Sequence, residues 1–224
     1  MRQARCALLV DLSGVLTASP LDALRALAPD AGMSPDAFVA LVVGDAGTDS
    51  DHPYHRLERG QIGLDEYLDE LVTLAGSRGI ELDFEHLAGS FSPPDVHWDV
   101  VEAIRSLRSD GFAAALVTNA VPEATERFAH RIPVDELFDI VVASCRVGVR
   151  KPDPRIFAVA LHRLGDIPPQ RAVLVDDEEA NVDAALRMGI RAVHFTRPSQ
   201  GLAELAALTA AVLRTEVAQE TPGL

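Results

Sequence analysis

The 224-residue chain carries a formal net charge of −14, with a sequence pI of about 4.8, and 48% of its residues are hydrophobic. So acidic a chain, with no basic stripe to offset the charge, repels nucleic acid and anionic membrane surfaces, and no apolar run is long enough to cross a bilayer. The length suits one large α/β domain, or a core with a smaller insertion, able to bury a real core as an ordinary soluble globular protein.

The run after Arg2 and Arg5 is too short for a signal peptide and is broken by Asp11, so the cytoplasm is the expected location. Two cysteines, Cys6 and Cys145, make neither a disulfide framework nor a metal site. Cys6 starts an apolar strand and Cys145 ends one, so both are expected as core or near-core thiols. Of the 20 basic residues all but Lys151 are Arg. A compact ammonium does not interchange with a guanidinium where a charge must fit beside a carboxylate, which singles out that position.

In chain order, the first element is an apolar, β-prone run from Ala7 to Val10 that ends abruptly on Asp11, with Gly14 three residues later. It reads as a buried strand delivering a carboxylate to the edge where open α/β sheets place their ligands. Asp and Gly are also ordinary turn residues, so the later strand ends decide the matter. Short helices are expected over Leu21–Ala28 and Pro35–Val43, each announced by a Ser-Pro pair. A polar loop from Gly44 to Pro53 follows, then a helix over Leu64–Leu74 and another over Phe84–Phe91. Ser92-Pro93-Pro94 reads as a linker. Nothing between residues 18 and 95 has a strand pattern.

From Val96 the pattern alternates. Helices are predicted over Asp99–Ser109, Pro122–His130, Asp153–Leu164, Glu179–Met188 and Gly201–Leu213. Strands are predicted over Phe112–Val117, Phe138–Ala143, Ala172–Val175 and Arg191–Phe195. The tail from Thr215 is polar and expected to fray. This alternation implies an α/β fold, a Rossmann-like doubly wound parallel sheet. The expected division is a core of residues 1–17 and 96–224, with an all-helical cap of residues 18–95 inserted after the first strand. Trp98 and Phe112 are expected in the core.

Four strand ends would meet at one edge. Asp11 can attack phosphorus directly, forming an aspartyl-phosphate and dividing one difficult hydrolysis into two steps. Thr118 and Asn119 offer a hydroxyl and turn amides to phosphate oxygens, although the same residues suit a helix N-cap ahead of Pro122. Lys151, extended because Pro152 follows, would offset the charge of nucleophile and phosphoryl group. Asp176 and Asp177 end an apolar strand, where paired carboxylates repel unless a cation compensates, and oxygen ligands suit Mg²⁺.

In this order, these residues resemble the haloacid dehalogenase-like (HAD-like) hydrolase superfamily over essentially the whole chain. The segment His55-Arg56-Leu57-Glu58-Arg59-Gly60 resembles the branch that includes the N-terminal phosphatase domain of soluble epoxide hydrolases. The resemblance implies a mobile cap, Mg²⁺ and phosphatase activity on a small phosphorylated metabolite. It implies Asp11 as nucleophile and metal ligand, Lys151 as charge neutraliser and Asp177 as metal ligand. It implies Asp176 as a second metal residue, one that would act through water. Leu12, Ser13, Thr118, Asn119 and Lys151 would contact the phosphate. Ser13 stands where family phosphatases carry the Asp that protonates the leaving group. It keeps the metal-binding carbonyl, but a hydroxyl is a poor proton shuttle, and general acid–base help is worth about a hundred- to ten-thousand-fold.

Two other readings follow from Ser13: a catalytically weak or inactive binding or regulatory module, and a metal-free haloacid dehalogenase, against which the Asp176-Asp177 pair argues. A phosphonatase would need a cap lysine, and residues 18–95 contain none. His52, His55 and Arg56 are candidate specificity residues. The expected partner is a small phosphorylated substrate, with a homodimer kept open and neither nucleic acid nor membrane expected.

Overall fold

The computed structural model describes residues 6–83, 85, 87, 95–121 and 131–220, with side chains described to residue 214. Five parallel strands, β1 (Cys6–Val10), β2 (Phe112–Thr118), β3 (Ile140–Ala143), β4 (Ala172–Asp176) and β5 (Arg191–His194), form one sheet in the order β3-β2-β1-β4-β5. Every residue of β1, β2 and β4 is buried. Helices cover both faces, so these strands read as continuous apolar runs rather than alternating ones. Alternate residues point to opposite faces. Cys6, Leu8 and Val10 pack with Val101 and Ile104 of the helix Trp98–Ser109 and with Leu205 and Val212 of the helix Pro198–Glu220. Ala7 and Leu9 face Phe157 and Ala160 of the helix Arg155–Arg163 and Ala185 of the helix Glu179–Arg187.

Between β1 and β2 lie the helices Leu21–Leu27, Pro35–Val42, Pro53–Glu58 and Leu64–Gly76, which share a separate apolar cluster around Leu24, Phe38, Leu41, Leu57 and Leu71. Ser34 caps the second, its hydroxyl accepting from Ala37 N–H at 3.4 Å. Tyr67 Oη donates to the Val42 carbonyl at 2.9 Å, tying the fourth helix to the second. The chain departs and returns side by side: Ala18 N–H donates to Asp95 O at 2.9 Å, and His97 N–H donates to Leu16 O at 2.8 Å.

Several expectations need correction. The helix Pro53–Glu58, in a stretch for which no element was expected, starts on the last residue of the expected loop. β3 stops at Ala143, so Cys145 sits in the short helix Ser144–Val147, half-buried, rather than at a strand end. The last helix starts at Pro198 and runs to Glu220 through the stretch expected to fray. Trp98 is 55% exposed, because the first residue of its helix lies outside the stripe of Val100, Val101 and Ile104 that meets the sheet. The helix expected over 122–130 and the Ser92-Pro93-Pro94 linker lie outside the described residues, as does most of that expected over 84–91.

Candidate active site

Val10 on β1 pairs with Leu116 on β2 and with Val175 on β4, so the three strands end level with one another. Asp11 N–H extends the ladder by one bond, donating to the Val175 carbonyl at 3.0 Å. Asp11, Thr118 and Asp176 are thereby carried to one edge, at the position where parallel α/β sheets form a crevice. Immediately after Asp11 the backbone reverses. Gly14 N–H donates to Thr17 O at 2.7 Å, and the Leu12 carbonyl accepts from Leu16 and Thr17 N–H.

Lys151 is buried between two carboxylates, with Nζ 2.8 Å from Asp11 Oδ1 and 2.6 Å from Asp176 Oδ2. The Lys151–Pro152 peptide is cis. Asn119 grips the lysine backbone from both sides: Lys151 N–H donates to Asn119 Oδ1 at 2.7 Å, and Asn119 Nδ2 donates to Lys151 O at 3.0 Å. The Asn119 side chain is thus spent on positioning Lys151, and what it can offer a phosphate is main chain. Burial pushes the Lys151 ammonium down, but Asp11 and Asp176 outweigh it and hold the group above its ordinary value, firmly charged. Burial raises Asp11 to about 6, against the lowering pull of Lys151 and of the Leu12 N–H.

The two carboxylates after β4 differ in surroundings. Asp176 spends Oδ2 on Lys151, and its Oδ1 accepts from Glu178 N–H at 3.0 Å and Asn181 Nδ2 at 2.8 Å. Asp177 lines the cleft, with its carbonyl accepting from His194 Nε2 at 3.0 Å. Burial, then the charges of Asp11 and Asp176, push Asp177 up to about 8. Gly14 makes room for it: φ is +86°, and a β-carbon there would lie 1.9 Å from Asp177 Oδ2. Asp11, Asp176 and Asp177 each offer an oxygen within 4.8 Å of the others. Hard oxygen donors in surplus over the one buried ammonium fit a divalent cation such as Mg²⁺, which would relieve the repulsion that raises Asp177.

Asp11, Lys151 and Asp177 line a cleft of about 140 Å³, together with Ser13 and Thr118, while Asp176 is buried behind them. Leu12 is placed differently. Its side chain is buried in the core and only its backbone N–H addresses the site, at the Asp11 carboxylate. None of the candidate specificity residues lines the cleft. His52 accepts from Tyr54 N–H through Nδ1, its Nε2 donating to Leu41 O; His55 is fully buried against Ser50; Arg56 is paired with Glu70 at 2.7 Å. Sequence reasoning missed Glu58 and Arg150, which do line it. Arg150 Nε donates to Glu58 Oε2 at 2.8 Å. Burial raises the Glu58 carboxyl while the Arg150 guanidinium holds it down, with a net shift upward.

The fold is a doubly wound parallel α/β sheet with a lysine-paired carboxylate at the end of its central strand. Residues 7–189 match the family model of haloacid dehalogenase-like hydrolases, and the chain belongs to that family. It is 37% identical over 90 residues to a phosphoserine phosphatase of Thermus thermophilus, covering 40% of this chain and 36% of that enzyme. To bifunctional epoxide hydrolase 2 of Sus scrofa it is 24% identical over 212 residues, covering 89% of this chain and 38% of the relative. The chain therefore spans well under half the length of these curated relatives. A HAD family enzyme of Bacteroides thetaiotaomicron, solved with magnesium and inorganic phosphate, shares the fold with a TM-score of 0.59 and 18% identity, over 84% of this chain and 92% of that one.

Proposed function

We propose that the chain is a Mg²⁺-dependent phosphatase of small phosphorylated metabolites, working through an aspartyl-phosphate on Asp11. The observation that carries this reading is Asp11 paired with buried Lys151 on the floor of a cleft that also takes in Thr118 and Asp177. In the first step an Asp11 oxygen attacks phosphorus; the new O–P bond forms as the bond to the leaving oxygen breaks, and that oxygen takes a proton from water. Water then adds to phosphorus, releases orthophosphate and restores the Asp11 carboxylate. Thr118 and Ser13 hydroxyls and the nearby main-chain amides bind the phosphoryl oxygens, and Lys151 offsets the charge that gathers on them. Asp11, Asp177 and the Ser13 carbonyl would hold Mg²⁺, which supplies further neutralising charge. Asp176, both of whose oxygens are engaged by Lys151, Glu178 and Asn181, would act on Mg²⁺ through water. Residues 18–95 serve as the cap that closes the cleft. The phosphatase named among the relatives and the magnesium and phosphate in the Bacteroides enzyme support the reading.

Ser13 brings no carboxyl to the leaving group, so turnover is slow with poor leaving groups and faster with good ones. The test is Mg²⁺-dependent hydrolysis of p-nitrophenyl phosphate and acetyl phosphate by wild type, Asp11→Asn and Ser13→Asp. Activity in wild type that vanishes in Asp11→Asn supports the nucleophile. Silence in wild type with activity gained in Ser13→Asp favours the second reading that Ser13 allows, a HAD-like binding or regulatory protein. Metal-independent turnover of a 2-haloacid would favour a dehalogenase instead.

A further inference from the structure

Arg150 immediately precedes Lys151, and Glu58 closes the helix Pro53–Glu58 above it. Their ion pair is almost wholly enclosed, with side chains 3% and 8% exposed, and both residues line the cleft. The guanidinium is further held by the Thr48 carbonyl, which accepts from Nη1, and Nη1 lies 3.9 Å from Asp49 Oδ1, a longer and more exposed contact than the one to Glu58. Enclosed pairs of this kind are often no more stabilising than apolar side chains of the same volume, so stability alone does not account for this one. Its effect on the cleft does. Among the described lining residues the cations are Lys151 and Arg150, and each already faces a carboxylate. Elsewhere between β1 and β2, Arg25, Arg56 and Arg59 are engaged by Asp22, Glu70 and Asp49. Much of the upper wall is apolar: Pro20, Leu21, Leu24, Val43 and Ala46. A substrate bearing a second anion would give up its hydration, meet no free cation among these residues, and lie near Glu58 and Glu178.

We propose that Glu58, by neutralising Arg150, sets the specificity of the cleft, which accepts phosphate monoesters with a small uncharged organic part and turns away those carrying a second anionic group. This rests on the phosphatase reading and goes beyond it. It separates this chain from a relative named for phosphoserine, whose substrate carries a carboxylate beside its phosphate.

The test compares kcat/KM for 4-carbamoylphenyl phosphate and 4-carboxyphenyl phosphate, a pair of similar shape that differs in one charge, with Mg²⁺ and with acetyl phosphate as a reference substrate. Wild type should favour the amide by on the order of tenfold or more, and Glu58→Gln, which removes the nearer carboxylate facing Arg150, should move the ratio toward the carboxylate by on the order of tenfold. The ratio does not depend on the fraction of enzyme that is folded. Should Glu58→Gln fail to fold, Glu58→Gln/Arg150→Met, with a neutral pair of similar volume, should still favour the amide. A wild-type or double-variant preference for the carboxylate, or a ratio unmoved in folded Glu58→Gln, overturns the proposal. So does activity on acetyl phosphate with none on either aryl ester. Silence on all three substrates overturns the phosphatase reading and the proposal with it.

Discussion

Lys151 shows what one side chain does here. A buried ammonium is tolerated because two carboxylates meet it at 2.8 and 2.6 Å, and each of them is tolerated because of it. Lys151→Met therefore leaves Asp11 and Asp176 without their cation. The expected loss is about 3–5 kcal/mol of unfolding free energy, measured by urea denaturation, together with loss of phosphatase activity. Lys151→Arg is expected to be nearly as inactive, since a planar fork does not fit a site built for a point charge. Gly14 makes the converse case, a residue needed for what it lacks. Gly14→Ala puts a methyl group into the Asp177 carboxylate and asks an L-residue to hold φ near +86°. The expected cost is about 1–3 kcal/mol, visible as a lowered denaturation midpoint, with weaker Mg²⁺ binding in the same protein.

At the scale of elements, the helix Pro53–Glu58 carries a pH-sensitive group. Burial, then the charges of Arg150, His52 and Arg59, lower His55 to about 3. The unfolded chain takes up that proton near pH 6.5 and the folded chain does not, so stability is lost as pH falls from about 6.5 toward 3. The slope contributed by this one group is at most about 1.4 kcal/mol per pH unit. Denaturation midpoints measured between pH 7 and 5 should fall less steeply in His55→Gln than in wild type. This same helix was illegible in the sequence. It is six residues long and is capped by a His52 ring nitrogen rather than by Ser, Thr, Asp or Asn. Strands β1, β2 and β4 were legible because each is an unbroken apolar run that stops on a polar residue, which displays Asp11, Thr118 and Asp176 at once. The Glu58–Arg150 bond joins residues 92 apart, and no local spacing announces such a contact. His194 was hidden for the same reason, meeting the Asp177 carbonyl only once β5 lies beside β4.

For the molecule as a whole, Asp11, Asp176 and Asp177 gather three carboxylates at one point of a chain whose net charge is −14. A cation bound there is linked to folding, so Mg²⁺ should raise the melting temperature, with about 2.7 kcal/mol gained at a hundredfold excess over Kd. Beryllium fluoride added with it should raise the temperature further, and a chelator should reverse the rise. Asp177→Asn should abolish the rise, while a shift of the same size in that variant would place the ion elsewhere. Lastly, the chain departs from the sheet and returns to it at neighbouring points, Ala18 bonded to Asp95 and Leu16 to His97. The helices between them pack around their own apolar cluster and meet the rest of the chain again at the Glu58–Arg150 pair. Because closing such a loop costs free energy that grows only with the logarithm of its length, a change in the length of the intervening stretch would by itself cost the sheet little. The frame holding Asp11 and Lys151 is therefore set by the strand pairing, not by how much chain leaves and returns beside it.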